Sequence, residues 1–258
     1  AGLTRPDIDT GAVILTGEAI KRRNAQAIAE LFAEESGNFV CASAGHHLEA
    51  LLAAHGSGAA ALSRRTHRTV LNVDIGGGTT KFALIQNGEV KGTCAVAVGG
   101  RLLTHDDHGR WTRIDDSAHR AARAQGVTLQ LGELVPAEHL ERIIDDLSEV
   151  VIGLIQGQPV SGLTKELLLT EPLPPEPQPH LVTFSGGVAE YLFGREPTNY
   201  GDIALPLAGR IARAFAEGRI KPKMVDPGQG IRATVIGASQ FTVQVSGKTI
   251  HISGHSVL

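Results

Sequence analysis

The segment that most constrains this chain is a run of three glycines placed directly after a short apolar strand. Residues 70–80 read VLNVDIGGGTT, so the strand ends near Asp74 and continues into Gly76–Gly78. Residues without a Cβ atom allow the backbone to turn sharply and to bring its N–H groups against a ligand. Thr79 and Thr80 add hydroxyl donors, and the carboxylate of Asp74 suits a hydrated metal ion.

The residues after the glycines predict a strand and not a helix. Residues 81–91 read KFALIQNGEVK, which is typical of a strand, an Asn87-Gly88 hairpin turn and a second strand. A Rossmann fingerprint and a Walker loop both need a helix after their glycines. The glycines therefore lie in a turn between two strands.

Length, charge and cysteine content exclude several classes of protein. A length of 258 residues is enough for one large domain or two lobes. The composition, 42% hydrophobic and 20% charged, is ordinary for a globular protein. The net charge of −3 gives no basis for binding nucleic acid, and no apolar run approaches the ~20 residues that span a bilayer. Cys41 and Cys94 lie in apolar runs without metal-ligand spacing. We expect a cytoplasmic protein with buried reduced thiols, no nucleic-acid partner and no membrane association.

Strand and helix patterns alternate along the chain. Strands are predicted at 11–17, 39–42, 70–75, 79–86, 89–98, 180–184 and 223–225, and helices at 18–35, 47–55, 137–156, 203–217 and 233–241. Connectors are predicted at 63–69, 104–118 and the proline-rich 171–180, and a terminal hairpin at 242–253, with Trp111 a candidate partner contact. This order predicts a mixed sheet with helices on both faces, whose ligands collect at strand ends.

Six motifs, in order along nearly the whole chain, resemble a known family. They are LTGEAIKRRNA (15–25), ASAGHHLE (42–49), NVDIGGGT (72–79), VGGRLL (98–103), TFSGGV (183–188) and RATVIGA (232–238). The third motif is similar to the second phosphate motif of the actin, Hsp70 and sugar-kinase ATPase superfamily, and the fifth to its adenosine motif. Within that superfamily the set resembles the EutA family, the reactivating factors of ethanolamine ammonia-lyase.

The resemblance implies a fold, a cofactor and a partner. The implied fold is α/β of the actin/Hsp70-like (RNase H-like) type, with residues 1–69 in the first lobe and 70–258 in the second. ATP or ADP with Mg²⁺ is the implied cofactor, and ethanolamine ammonia-lyase is the implied partner. Asp74 is implied to hold the metal and to serve catalysis. The residues implied to bind nucleotide are Gly76, Gly77, Gly78, Thr79, Thr80, Gly99, Gly100, Ser185, Gly186, Gly187 and Gly237.

One part of the superfamily pattern is missing. The chain has no first phosphate motif of Asp-x-Gly-Thr-Thr type, and it does not begin with Met. We therefore expect a fragment with an incomplete first lobe, and we assign the expected ATPase activity to its full-length parent. Two alternatives on the same fold stay open: a small-molecule kinase or phosphatase, and a nucleotide-dependent actin-like assembly protein. The sequence leaves open the oligomeric state and any association with an ethanolamine microcompartment.

Overall fold

The computed structural model describes residues 11–15, 39–43 and 45–246, with side chains described for residues 45–240. The strands are β1 (Gly11–Leu15), β2 (Phe39–Ser43), β3 (Val70–Ile75), β4 (Thr80–Gln86), β5 (Glu89–Val96), β6 (Leu103–His105), β7 (Trp111–Ile114), β8 (Leu181–Ser185) and β9 (Lys223–Val225). The helices are α1 (His46–Gly56), α2 (Ala59–Thr66), α3 (Asp116–Ala124), α4 (Ala137–Ile155), α5 (Gly162–Leu167), α6 (Gly187–Leu192), α7 (Ala204–Ala216) and α8 (Ala233–Ser246). No helix of the described residues has the length and apolar character needed to cross a bilayer.

A five-stranded mixed sheet forms the centre of the described structure. Its spatial order is β5-β4-β3-β8-β9. β3 pairs antiparallel with β4 and parallel with β8, and β9 pairs parallel with β8. β1 and β2 pair in parallel as a separate two-stranded unit. The mixed sheet and its predicted strand positions are therefore confirmed, whereas the helix predicted at 18–35 lies outside the described residues.

Helices cover both faces of this sheet because β3 alternates two sets of side chains. Leu71, Val73 and Ile75 face the larger core, to which α4 and α7 contribute Leu147 and Leu207, among others. Val70 faces the smaller core, where the buried residues of α1 and α2 are the alanines Ala50, Ala54, Ala59 and Ala60, with Leu62 of α2 packed against them. Every residue of β3 is buried, as expected of a central strand with packing on both sides.

Four predictions about local structure are wrong. The connector predicted at 63–69 overlaps α2, and the one predicted at 104–118 contains β7 and the start of α3. Trp111 is buried in the larger core and is not an exposed partner contact. The hairpin predicted from 242 is replaced, as far as residue 246, by the continuation of α8. The helices α2 and α3, which were not predicted, have polar sequences, and alanine and serine fill their buried positions.

The thiol of Cys94 is buried in the larger core, as predicted. Burial raises the pKa of this thiol to about 11, so it is protonated and unreactive at neutral pH. The side chain of Cys41 lies outside the described residues.

α1 and α8 cross with their backbones in direct contact. A Cβ atom built on Gly56 would lie 1.7 Å from the carbonyl oxygen of Ala233, and one on Gly237 would lie 2.0 Å from that of Leu52. Both obstacles are backbone atoms, which cannot rotate away as a side chain can. Gly56 and Gly237 are therefore what lets the two helices approach so closely.

Gly237→Ala should lower the free energy of unfolding by about 1–3 kcal/mol, because the added methyl group must push the helices apart. Urea denaturation of the variant measures this change. The matched control is Gly209→Ala in α7, where a Cβ atom meets nothing within 4 Å. That control should be stabilised by roughly 0.5–1 kcal/mol through helix propensity. Equal stabilisation of both variants would contradict the close crossing.

Candidate functional site

The glycine turn between β3 and β4 lies at a cleft of about 860 Å³. α1, the start of α6 and the first turn of α8 also contribute to its walls. The structure thus brings the two predicted glycine motifs to one cleft, although they are far apart in the sequence. The predicted site residues that line it are Asp74, Gly76, Gly77, Gly78, Thr79, Gly186 and Gly187.

The backbone of the glycine turn presents unused donors to this cleft. The N–H of Gly76 is satisfied by the carbonyl of Thr79 at 3.0 Å. In the part of the chain that the structure describes, the N–H groups of Gly77 and Gly78 donate to no protein acceptor. A Cβ atom on Gly78 would meet nothing within 4 Å, so there is room for a ligand at this position. Two unpaired amides beside open space are suited to an anion.

Asp74 is held at the end of β3 by a chain of buried polar groups. Its carboxylate is only 6% exposed and accepts a hydrogen bond of 2.7 Å from the hydroxyl of Ser185, its neighbour on β8. Ser185 in turn accepts from the amide of Asn72 at 3.2 Å, and Asn72 accepts from the hydroxyl of Thr183 at 2.9 Å. These bonds orient the carboxylate towards the cleft, since each polar group beneath it is already engaged.

Lys81 and Glu49 are two further cleft residues that the sequence analysis missed. Lys81 lies directly opposite Asp74 in the β3–β4 pairing, and its ammonium group lies 2.5 Å from the carboxylate of Glu49 on α1. Both side chains are almost completely buried and line the cleft. The hairpin register was the available signal, because a four-residue turn between Ile75 and Thr80 places residues 74 and 81 on the same face. Two carboxylates beside one ammonium leave a net negative charge that suits a cation.

Burial raises the pKa of Asp74 above its ordinary value of 3.8. The hydrogen bond from Ser185 and the charge of Lys81 oppose this rise, and the charge of Glu49 adds to it. The folded protein therefore binds the Asp74 proton more tightly than the unfolded chain does. As a consequence, the contribution of Asp74 to stability falls as the pH rises from 3.8 through the folded pKa.

Asp74→Asn should therefore be more stable than the wild type near neutral pH, because the amide carries no charge to desolvate. The difference should shrink as the pH falls towards 3.8, because the carboxyl group of the folded wild type, whose pKa is raised, then becomes increasingly protonated. Thermal unfolding of both proteins across this pH range checks the prediction. Asp107→Asn, in an exposed loop, is the control and should show no such trend. A variant that is less stable at neutral pH would contradict the assigned cause.

Several predicted site residues support the glycine turn from below and do not line the cleft. Thr80 is fully buried on the face of the sheet opposite Asp74, and its hydroxyl donates to the carbonyl of Val98 at 2.7 Å. A Cβ atom on Gly99 would lie 2.5 Å from the carbonyl oxygen of Gly77, so this glycine lets the next loop pack under the turn. Gly100 donates to the carbonyl of Gly76 at 2.9 Å. The predicted hydroxyl contact from Thr80 to phosphate therefore does not fit this geometry.

Two other predicted residues are also explained by packing. Gly186 has a φ of 82°, and its Cβ atom would lie 2.4 Å from the carbonyl oxygen of Ile75. Gly237 belongs to the crossing of α1 with α8 and is absent from the cleft lining. Only glycine satisfies both the left-handed backbone and the close approach at position 186.

An ion-pair network fixes the loop before α8 against α6. Arg195 contacts Glu190 at 2.9 Å and Asp226 at 2.6 Å, and Glu190 accepts from the backbone N–H of Ile231 at 2.9 Å. Ile231 and Val235 border the cleft with 66% of their surface exposed. They form an apolar wall beside the polar glycine turn.

The described residues contain no group of three or more His, Cys, Asp or Glu side chains that could enclose a metal ion. A single oriented carboxylate still fits Mg²⁺, because this ion keeps several of its waters and takes few protein ligands.

An antiparallel meander with a glycine turn, followed by parallel strands and helices on both faces, makes this an α/β domain built on a mixed sheet. The chain belongs to the EutA family: the family model of the ethanolamine utilisation protein EutA matches residues 1–258. The family resemblance noted in the sequence is thus confirmed.

Two curated relatives carry the name ethanolamine ammonia-lyase reactivase EutA. The relative from Escherichia coli K12 is 37% identical over 98% of this chain and 54% of its own length. The relative from Salmonella typhimurium LT2 is 39% identical over 97% of this chain and 53% of its own length. The chain therefore spans about half the length of these relatives.

Solved structures also resemble the chain. One is MreB5 of Spiroplasma citri bound to AMPPNP, at 16% identity and a TM-score of 0.42, covering 92% of this chain and 68% of that one. Another is the ethanolamine utilization protein EutJ from Carboxydothermus hydrogenoformans, at 17% identity and a TM-score of 0.40, covering 91% of this chain and 66% of that one.

Proposed function

We propose that this chain is the nucleotide-binding part of an ATP-dependent reactivase that acts on ethanolamine ammonia-lyase. The observation that carries the nucleotide site is the pair of unused amides at Gly77 and Gly78 beside the buried carboxylate of Asp74. The observation that carries the partner is family membership, since both curated relatives are named as reactivases of this lyase.

The β- and γ-phosphates of ATP would accept hydrogen bonds from the amides of Gly77 and Gly78 and from the hydroxyl of Thr79. Asp74 would hold Mg²⁺ through water, and the ion would neutralise the phosphate charge. The nucleoside would lie between Gly187, where a Cβ atom would meet nothing within 4 Å, and the apolar wall of Ile231 and Val235. The glycine turn and Asp74 would thus offer polar contacts to the phosphates, and Ile231 and Val235 would offer apolar surface to the base.

The nucleotide would drive reactivation by changing how the protein engages the lyase. ATP can bias such a change only if it binds one arrangement more tightly than another. In the whole protein, closure of two lobes on the phosphates would supply this difference in affinity. Loosening of the lyase would then let damaged cobalamin leave and intact adenosylcobalamin enter.

Gly78→Ala should weaken the binding of Mg-ATP at least about tenfold, because its methyl group occupies the space that the phosphates need. Stability should change little, since a Cβ atom at this position meets no protein atom within 4 Å. Calorimetric titration of ATP and a thermal melt of the same sample test both statements. Gly209→Ala serves as the matched control and should bind ATP as the wild type does. If Gly78→Ala binds Mg-ATP as tightly as the wild type does, the phosphates do not bind at this turn.

The reactivase proposal is tested with lyase that carries an inactive cobalamin. The inactive enzyme is incubated with the protein, Mg-ATP and fresh adenosylcobalamin, and recovery of ammonia release is measured. We expect recovery that requires ATP and that is lost with Gly78→Ala. ATP hydrolysis without recovery would contradict the assigned partner. Hydrolysis stimulated by a sugar or polyphosphate, or nucleotide-dependent pelleting, would then support a kinase, a phosphatase or an assembly protein.

A further inference from the structure

Arg101 follows the glycine pair at 99–100 and lies against the phosphate turn. Its backbone N–H donates to the carbonyl of Gly77 at 2.7 Å. The Cβ, Cγ and Cδ atoms of its side chain lie 3.6–3.8 Å from where a Cβ atom of Gly77 would be. The aliphatic stem of Arg101 therefore runs along the edge of the turn, and the side chain lines the cleft.

The charges of the cleft are closely balanced without a ligand. Its lining in the described chain contains four carboxylates, Glu49, Asp74, Asp115 and Asp116, and four Lys or Arg side chains, Lys81, Arg101, Arg113 and Arg120. A triphosphate brings several negative charges, so the cleft needs a cation whose donors are not already engaged by a close protein partner. Mg²⁺ held by Asp74 would supply part of this charge, and the protein would have to supply the rest.

Three of the four cations already have close partners. Lys81 lies 2.5 Å from the Glu49 carboxylate, and Arg113 lies 2.8 Å from that of Asp115. Arg120 donates to the carbonyl of Glu166 at 2.5 Å.

Arg101 is bound much more loosely. Its guanidinium lies 3.7 Å from the carboxylate of Asp202, and 63% of its side chain is exposed. Asp202 is itself fixed, because its other carboxylate oxygen caps the N–H of Ala204 at the start of α7 at 3.0 Å.

We infer that Arg101 is the phosphate-recognising cation of this cleft and that it distinguishes nucleoside triphosphates and diphosphates from unphosphorylated nucleosides. This inference rests on the proposed nucleotide site. The guanidinium presents a planar fork of donors that matches two phosphate oxygens at once. Asp202, which is not among the residues that line the cleft, lies 3.7 Å from the guanidinium, a distance that leaves the donors available.

The test measures the affinities of Mg-ATP, Mg-ADP and adenosine for the wild type, Arg101→Gln and Arg101→Lys by calorimetric titration. Arg101→Gln should lower the affinity for Mg-ATP at least about tenfold and leave the affinity for adenosine unchanged, because only the phosphates lose a charged partner. Arg101→Lys should lie between the two, since it keeps the charge but loses the fork. Arg213→Gln, on the exposed face of α7, is the matched control and should leave all three affinities unchanged.

The outcomes separate this inference from the proposed function. If the wild type binds ATP and Arg101→Gln binds it equally well, the role of Arg101 is overturned and the nucleotide site stands. If Arg101→Gln lowers the affinities for ATP and for adenosine by the same factor, its effect is structural and the inference is again overturned. If the wild type binds no nucleotide, both the site and the inference fail.

Discussion

The parallel pairing of β3 with β8 is the constraint on which the candidate site depends. It sets Asp74 beside Ser185, two residues that are distant in sequence, and joins them by a buried hydrogen bond of 2.7 Å. A buried carboxylate is costly unless its oxygens are engaged, so Ser185 and Lys81 together make this position tolerable. The glycine turn starts at Gly76, two residues after Asp74, so the end of β3 fixes where the turn begins.

At the proposed cation site, the burial of Asp74 would give up stability for binding. Its environment disfavours the ionised carboxylate, yet a hydrated cation needs that form. The neighbouring Lys81–Glu49 pair keeps the cluster from carrying two uncompensated negative charges. A ligand cation would complete the balance.

Much of the fold could be predicted because its main elements have strong local patterns. The apolar run of β3, the Asn-Gly turn after β4 and the amphipathic residues of α4 each identify their element without tertiary information. The helices α2 and α3 could not be found this way, because Ala59, Ala60 and Ala118 bury too little apolar surface to mark a face. The lobe boundary between residues 69 and 70 stays a prediction, and α1 and α2 pack on the sheet that follows it.

The sequence analysis named Asp74 and the glycines that the structure places at the cleft, but not the charged residues Glu49, Lys81 and Arg101 beside them. A run such as Gly76–Gly78 is visible in any sequence, whereas Glu49 and Arg101 gain their meaning only from what lies beside them. Strand alternation explains why the hydroxyl of Thr80 does not face the cleft. Thr80 pairs with Ile75 and shares its apolar face, while Lys81 shares the face of Asp74. The strand register therefore shows which of Thr80 and Lys81 faces the cleft, and residue type alone does not.

The contact between α1 and α8 has a mechanical consequence. Where the backbones touch at Gly56 and Gly237, no side chains lie between them to yield under load. Close-packed interiors transmit strain instead of absorbing it, so a displacement of one helix would be passed directly to the other. One helix carries Glu49 at the floor of the cleft and the other carries Val235 at its rim. A push on the rim would thus reach the charged floor without any intermediate residue having to rearrange.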